Sequence, residues 1–232
     1  MVNRDRPRKG PGRPSGPHDD SVREQLLEAA GRLFARQGVH QTSLAEVSEA
    51  VGVNSAMVRY YFTDKRGLYR EVIHRSAEPI FRHIEAVTRT APSQRGEAAA
   101  RFMATYMREM AQDQWLPTLL VRDVLMPDGE FREEFVRAYA HPAGGGMLAG
   151  MAEAEIGRGH LREDLTPGLT ALTLISLALF PFVARPIVSE VFDVDITPER
   201  IERLVAHTVH LFYEGAATEH SRDAWREVVP AT

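Results

Sequence analysis

Residues 42–62 read TSLAEVSEAVGVNSAMVRYYF, and this stretch decides the fold of the 232-residue chain. Ser43 and Glu46 have the spacing of a capping box, in which each side chain bonds the other residue's backbone amide at the start of a helix. Gly52 ends that short helix, and Asn54 can cap a second one. Two short helices joined by a tight turn that contains glycine predict a helix-turn-helix unit.

Helices are also predicted on both sides of this unit. Apolar residues recur at helical spacing over Val22–Gln37, and a helix from Lys65 to about Val87 can be capped by Thr63 or Asp64. Because no alternation typical of strands is found, we expect an all-α protein. The remaining predicted helices are Gln94–Asp113, Leu116–Met126, Glu130–Ala140, Pro142–Arg158, Pro167–Val191 and Pro198–Gly215, with kinks at Pro181 and Pro186.

Charge is distributed unevenly along the chain. Residues 1–75 carry 13 Lys and Arg against 9 Asp and Glu, whereas residues 76–232 carry 15 against 23. Although the net charge is −4, the basic end is the one expected to face phosphates. The predicted domains are a disordered basic arm rich in Pro, Gly and Arg (1–20), a helix-turn-helix domain (21–66), a larger helical domain (67–216) and a tail (217–232).

Several classes of function are disfavoured by composition. The chain has no cysteine, which excludes disulfides, thiolate metal sites and cysteine nucleophiles. The most apolar run, Leu169–Ala184, is shorter than the ~20 residues of a membrane span and contains a proline. No signal peptide is visible, so we expect a cytoplasmic protein with no membrane partner.

No motif for catalysis or for a cofactor is found either. Gly144, Gly145 and Gly146 lack the Lys-Ser/Thr that completes a phosphate loop. His207 and His210 are three residues apart on one helix face and could bind a metal, but a packed or interface pair is the favoured interpretation. We therefore predict no enzyme, no cofactor and no metal site.

Residues 42–69 resemble the helix-turn-helix of the tetracycline-repressor (TetR) family, and the match covers about Val22–Ile73. The shared pattern is a Thr-Thr-like opening, an Ala-x-x-Ala-Gly-Val-like core, a Tyr-x-Tyr-Phe-like ending and a Lys that opens the next helix. The resemblance implies an N-terminal DNA-binding domain followed by a larger helical domain for ligand binding and dimerisation. It further implies a homodimeric repressor that an unknown small-molecule effector releases from a near-palindromic operator.

The resemblance also implies contacts with double-stranded DNA. Where many relatives have Lys-Gly-Thr-Leu-Tyr-His, residues 55–60 read SAMVRY, which makes Arg59 the best candidate to bond a guanine bidentately. Thr42, Ser43, Tyr61 and Lys65 are expected to reach backbone phosphates. The residues expected to face the major groove are Ser55, Ala56, Met57, Arg59 and Tyr60.

The basic arm carries a second possible DNA contact. Residues 9–14 resemble an AT-hook core, in which Arg13 would lie in a narrow minor groove. A tail that only adds solubility is an equal alternative.

Two groups of apolar residues are candidates for the roles of the larger domain. For any one of the Met and aromatic residues a core position is favoured, but as a set they suit an adaptable ligand pocket: Phe102, Met103, Tyr106, Met107, Met110, Trp115, Met126, Met147 and Met151. The last two helices are apolar on more than one face, which predicts a partner, by resemblance a second copy. Candidates for that interface are Leu172, Ile175, Leu179, Phe182, Leu204, His207 and Leu211.

A dimer of this kind would set two recognition helices about one DNA turn apart, ~34–36 Å. An effector in the middle helices would shift the connecting helix, Lys65 to about Val87, and change that spacing. Two alternatives remain open. One is an activator, and the other is an architectural protein without an effector, which would bind unrelated duplexes almost equally well.

Overall fold

A computed structural model describes residues 17–89, 96–113, 115–126, 129, 131–140 and 145–214. The regular structure of these ranges is helical throughout, which confirms the all-α prediction. The helices are α1 Pro17–Gln37, α2 Leu44–Val51, α3 Ser55–Phe62, α4 Lys65–Arg89, α5 Ala98–Gln112, α6 Leu116–Leu119, α7 Arg132–Phe135, α8 Gly145–Gly157, α9 Pro167–Val183, α10 Arg185–Phe192 and α11 Ile201–Glu214. Among the helices in these ranges, none is long and apolar enough to cross a membrane.

The chain divides into two compact units, Met1–His74 and Arg75–Thr232. The division falls inside α4, later than the boundary predicted after Arg66. The reason is that the first turns of α4 are packed in the first unit. Leu68 and Tyr69 are both 0% exposed, and the Tyr69 ring lies 5.5 Å from that of Phe34.

The first unit is a small helical domain that holds α2 and α3 against α1. Its core is formed by large apolar side chains from all three helices, namely Leu26, Leu27, Phe34, Val47, Val58 and Phe62. Arg23 lies over the Phe62 ring, 5.4 Å from its centroid, and pairs with Glu71 of α4. This packing fixes the orientation of α3, whose opposite face stays in solvent.

Helix α1 begins at Pro17, so the predicted arm over 1–20 was wrong at its last four positions. Proline suits a first helical turn because its missing amide would have no partner there, and the Asp20 carboxylate is favourable near the helix start. The rest of the arm, with Arg13, lies outside the described residues, as does the predicted tail.

The second unit is arranged around α5, which buries Phe102, Met103, Met107 and Met110 completely. Helix α9 packs against α5 and α8, and α11 packs against α5. The helix predicted over 167–191, with kinks at Pro181 and Pro186, divides into α9 and α10 at Ala184 (φ −91°, ψ 8°), beside the second of these prolines. Pro186 has no amide to donate to a carbonyl one turn earlier, which favours a break at this point, and it lies in the first turn of α10, where proline is tolerated.

Two predicted helices change their winding. Residues 116–125 begin as α6 and continue as a π-helical segment, Leu120–Leu125. Residues 132–140 do the same, with α7 followed by Val136–Ala140. π-Helical turns are rare and are often found at functional sites, and the first of these two forms part of a cavity wall described below.

Candidate nucleic-acid interface and ligand cavity

The start of α2 forms the capping box that the sequence predicts. The Ser43 Oγ accepts from the Glu46 amide at 3.1 Å, and the Ser43 amide donates to the Glu46 Oε2 at 2.7 Å. The hydrogen bond from the Ser43 backbone, followed by that from its side chain, lowers the pKa of Glu46. Gly52 ends α2 in the left-handed conformation (φ 75°), and the Asn54 Oδ1 accepts from the Ala56 amide at 2.8 Å to start α3.

Helix α3 presents a polar outer face. Val58 and Phe62 are buried, whereas Ala56, Arg59 and Tyr60 are exposed, Tyr60 by 53%. The exposed residues are three and four positions apart, which is the spacing of neighbours on one helix face. Ser55, Met57 and Tyr61 are half-buried along its edges. Of the six residues expected on α3, the outward face therefore carries three.

A cleft of about 420 Å³ joins the start of α2 to α3 and to the start of α4. Two cations face it, Arg59 and Lys65, and the Lys65 Nζ donates to the His40 carbonyl at 3.0 Å. A helix start beside two cations suits a phosphate. The lining residues are His40, Gln41, Thr42, Ser43, Leu44, Ala45, Ser55, Arg59 and Lys65.

Thr42 does not have the role predicted for its hydroxyl. Its side chain is 1% exposed, and the hydroxyl donates to the Gly38 carbonyl at 2.8 Å. The hydroxyl therefore stabilises the end of α1 instead of reaching out to phosphate. His40 and Gln41, which line the cleft, carry no motif from which the sequence could have predicted them.

A strained turn connects α3 to α4. Thr63 has a positive φ of 64° with ψ −59°, and the Asp64 amide donates to the Phe62 carbonyl at 2.6 Å. This is a γ-turn, a conformation that costs of order 1–3 kcal/mol for a residue other than glycine. The Asp64 Oδ1 then accepts from the Gly67 amide at 2.7 Å, which begins α4.

The second unit contains an apolar cavity of about 480 Å³. Its walls come from α4, α5, α6 with its π-helical continuation, α7, α8 and α9. The lining residues are Ile80, Phe81, Ile84, Tyr106, Met110, Leu116, Leu120, Val124, Leu125, Phe135, Leu148, Gly168, Ala171, Leu172, Ile175 and Leu179. Among these described lining residues, Tyr106 alone carries a polar side-chain atom.

The cavity has a closed end and an open end. Tyr106, Met110 and Leu116 are at most 5% exposed. By contrast, Leu125 is 53% exposed and Leu172 59%, and Gly168 is exposed as well. The mouth is therefore formed by the end of the π-helical segment and the start of α9.

The π-helical wall is held in place by Arg132 of α7. The Arg132 Nε donates to the Val124 carbonyl at 2.9 Å, and its Nη2 donates to the carbonyls of Leu125 and Met126. A single guanidinium thus binds three successive carbonyls at the end of the segment, of which that of Met126 also accepts from the Gly129 amide at 3.0 Å.

Of the predicted ligand-binding residues, Tyr106 and Met110 line the cavity. Phe102, Met103 and Met107 are 0% exposed and pack the core on other sides of α5. The remaining four do not line it. Met151 is buried elsewhere, Trp115 and Met147 are half-buried, and Met126 is 45% exposed. The cavity is instead lined mostly by aliphatic residues, which composition alone does not distinguish from core.

The surface of α9 and α10 carries an exposed apolar face. It consists of Leu169, Leu172, Phe180, Ile187, Val191 and Phe192, each at least 59% exposed. Of the residues predicted for a dimer interface, Leu172 lies on this face as well as at the mouth of the cavity, whereas Ile175 and Leu179 are half-buried and line the cavity. Phe182 is 2% exposed and belongs to the core, so Phe180 is the exposed aromatic at this end of α9. On α11, His207 is exposed, and Leu204 and Leu211 are half-buried.

The family model that matches the chain lies within the first unit. Residues 26–72 match the family model "Bacterial regulatory proteins, tetR family". The HTH-type transcriptional regulator BetI of Yersinia pestis (strain Pestoides F) is 30% identical over 100 residues, which cover 40% of this chain and 50% of that protein. The chain thus spans about half the length of this curated relative.

Solved structures resemble a larger part of the chain. A transcriptional regulator of the TetR/AcrR family from Thermobifida fusca YX-ER1 has a TM-score of 0.61 and 19% identity, with 85% of this chain and 100% of that one covered. FadR from Bacillus subtilis in complex with stearoyl-CoA has a TM-score of 0.61 and 18% identity, with 84% and 99% covered. At these identities the likeness establishes the fold.

Proposed function

We propose that this chain, whose residues 26–72 match the TetR family of bacterial regulatory proteins, is a sequence-specific transcriptional repressor released from DNA by a small-molecule effector. The observation that carries the proposal is the outer face of α3. It presents Arg59 and Tyr60 to solvent beside the cleft that contains Lys65. That arrangement would let one DNA duplex contact α3 through its base edges and the cleft through its phosphates.

In the proposed complex α3 enters the major groove. Arg59 reads a guanine through two parallel hydrogen bonds, and Tyr60 contacts the neighbouring base or sugar. Lys65 and the amides at the start of α2 hold a backbone phosphate in the cleft and so fix the register of α3. The Ser43 hydroxyl, which accepts from the Glu46 amide, can turn its single proton from the Glu46 carboxylate to that phosphate.

The protein acts as a homodimer in this proposal. The exposed apolar face of α9 and α10 is a surface that water solvates poorly, and a second copy would cover it in a two-fold interface. Two recognition helices would then meet half-sites about one DNA turn apart, ~34–36 Å.

The effector binds in the apolar cavity of the second unit. FadR, which has the same fold, forms a complex with stearoyl-CoA, and this supports a ligand role for the larger domain. Helix α4 contributes Ile80, Phe81 and Ile84 to the cavity and begins with Lys65. An effector that favours one position of α4 would thereby change DNA affinity, to the extent that its own affinity differs between the two states.

The same cavity favours an effector-responsive regulator over an architectural protein. We further propose that the protein works in the cytoplasm and has no catalytic activity. Whether transcription falls or rises depends on where the operator lies, so a transcription assay with the operator before a reporter promoter separates a repressor from an activator.

Footprinting tests the DNA-bound dimer. DNA fragments retained by the purified protein identify the operator, and cleavage protection on that operator should reveal two half-sites about ten base pairs apart from centre to centre. A duplex with one half-site scrambled should bind much more weakly. Equal affinity for one and two half-sites would rule out the dimeric complex.

A further inference from the structure

We propose that the effector is a neutral, largely hydrocarbon molecule with one oxygen that accepts a hydrogen bond from Tyr106. The proposal rests on the proposed function in one respect, namely that the cavity of about 480 Å³ in the second unit is the effector site. It adds the chemical class of the ligand, which follows from the cavity walls.

The walls select for hydrocarbon. Apart from Tyr106, the described lining residues are aliphatic, Met, Phe or Gly. A volume of this size is within the range of sites for small organic ligands, about 300–1,000 Å³. Each apolar group that enters is removed from water without displacing a polar contact, so the contribution of the hydrocarbon part grows with its length.

The same walls select against charge. The described lining residues include no Lys, Arg, His, Asp or Glu. A carboxylate or ammonium group inside would lose its hydration without gaining an ion partner, and that loss costs far more than the burial of a neutral oxygen. Any charged group would have to remain at the mouth on the side of Leu125, because the proposed dimer covers Leu172.

Among the described lining residues, Tyr106 alone can supply a polar contact. It is 5% exposed and lines the closed end of the cavity, and its ring packs 5.8 Å from that of Phe102. No hydrogen-bond partner for its hydroxyl is found in the described part of the chain. Burial raises the pKa of this phenol, which keeps it protonated and able to donate near neutral pH. An oxygen-containing ligand would satisfy a donor that is otherwise costly to bury.

Calorimetry with the full-length protein tests the ligand class. The probes are decanol, decanoate and decyltrimethylammonium, which share a chain length and differ in charge, together with butylbenzene, which has no polar atom. We expect decanol to bind about tenfold or more tightly than either charged probe. Charged probes that bind as tightly as decanol, or no measurable binding of decanol, would overturn the proposal.

Variants locate the binding site. Tyr106→Phe keeps the ring and removes the hydrogen-bond donor. It should weaken the binding of decanol about threefold to tenfold and leave the binding of butylbenzene unchanged. Gly168→Leu should weaken the binding of both probes, because the added side chain can occupy the mouth of the cavity. The protein should tolerate it, since a Cβ at this position meets no atom within 4 Å. Gly150→Leu on α8, also with no atom within 4 Å of its Cβ and outside the cavity lining, is the matched control and should weaken neither.

Equal loss of both probes in Tyr106→Phe, or unchanged binding of decanol, would contradict the hydrogen bond. DNA-binding measurements distinguish failure of the ligand class from failure of the proposed function. If the protein binds its operator but not the neutral probes, only the ligand class is overturned. Binding of the probes as described, without any DNA binding, supports the ligand class and overturns the proposed function.

Discussion

At the scale of single residues, Arg59 is the side chain on which DNA sequence recognition is proposed to depend. It is exposed on α3, whose buried face is fixed by Val58 and Phe62. We expect Arg59→Ala to weaken operator binding by about 1–3 kcal/mol, because the bonds to one guanine are lost. Fluorescence anisotropy on operator and scrambled duplexes measures the loss, which should be much smaller on the scramble.

Lys65 provides the contrasting variant. Its ammonium faces the cleft, where we propose that it contacts a phosphate. Lys65→Ala should therefore weaken the binding of all duplexes alike and reduce the number of counterions released on binding by about one. Arg162→Ala, which removes an exposed arginine of the second unit, should change neither property. If Arg59→Ala lost affinity equally for the operator and the scrambled duplex, Arg59 would contact the DNA phosphate backbone instead of a base.

Glu46 predicts a pH dependence of stability. Its pKa is lowered from the ordinary value of 4.5 by its hydrogen bonds with Ser43. Because the folded-state pKa is below that of the unfolded chain, the contribution is full above pH 4.5 and disappears as the pH falls through the lowered value. Thermal unfolding of the wild type and Glu46→Ala should therefore differ at neutral pH and converge in acid. A constant difference would contradict this.

At the scale of elements, the turn between α3 and α4 requires glycine at position 67. A Cβ there would lie 2.2 Å from the Phe62 carbonyl oxygen, and a backbone atom cannot move aside cheaply. Gly67→Ala should therefore destabilise the protein by about 1–3 kcal/mol. Gly150→Ala, where a Cβ meets nothing within 4 Å, should instead stabilise it by about 0.5–1 kcal/mol.

Chemical denaturation of both glycine variants measures these changes. If Gly67→Ala proved as stable as the wild type, position 67 could not lie as close to the Phe62 carbonyl as the structure places it. The same comparison separates steric conflict from the general benefit of removing a helical glycine, because both substitutions add one methyl group inside a helix.

The elements that could be predicted from sequence are those set by local chemistry. Three such features are present, and each depends on residues within four positions of one another: the capping box of Ser43 and Glu46, the turn at Gly52 and the Asn54 cap. The break at Ala184 was harder to locate, because both Pro181 and Pro186 could have caused it and α9 tolerates the first. The γ-turn at Thr63 has no sequence signal, since a β-branched residue rarely adopts a positive φ.

The cavity could not be predicted because it depends on which helix faces meet. Tyr106 and Met110 point into it, while Met103 and Met107 of the same helix fill the core. Composition distinguishes none of these four. Likewise, α9 is apolar on several faces. Residues such as Ile175 were therefore predicted to lie in a dimer interface, although they line the cavity.

At the scale of the whole molecule, the exposed face of α9 and α10 predicts the oligomeric state. Phe180 and Ile187 are 65% and 61% exposed, and a charge at either site would be buried without a partner in a dimer. We expect Phe180→Glu with Ile187→Glu to yield a folded monomer by light scattering coupled to size exclusion. Met126→Glu, at another exposed apolar residue, should leave the dimer intact. A wild-type monomer would rule out the interface.

The most direct test of the central claim is fluorescence anisotropy with the DNA upstream of the protein's own gene and a scrambled duplex of equal composition. Both are titrated from about 50 to 200 mM salt. Tight binding of the native duplex that exceeds binding of the scramble by about a thousandfold is the predicted result. Equal and steeply salt-dependent binding of both duplexes, or no binding of either at low salt, would contradict sequence-specific recognition of that DNA by α3.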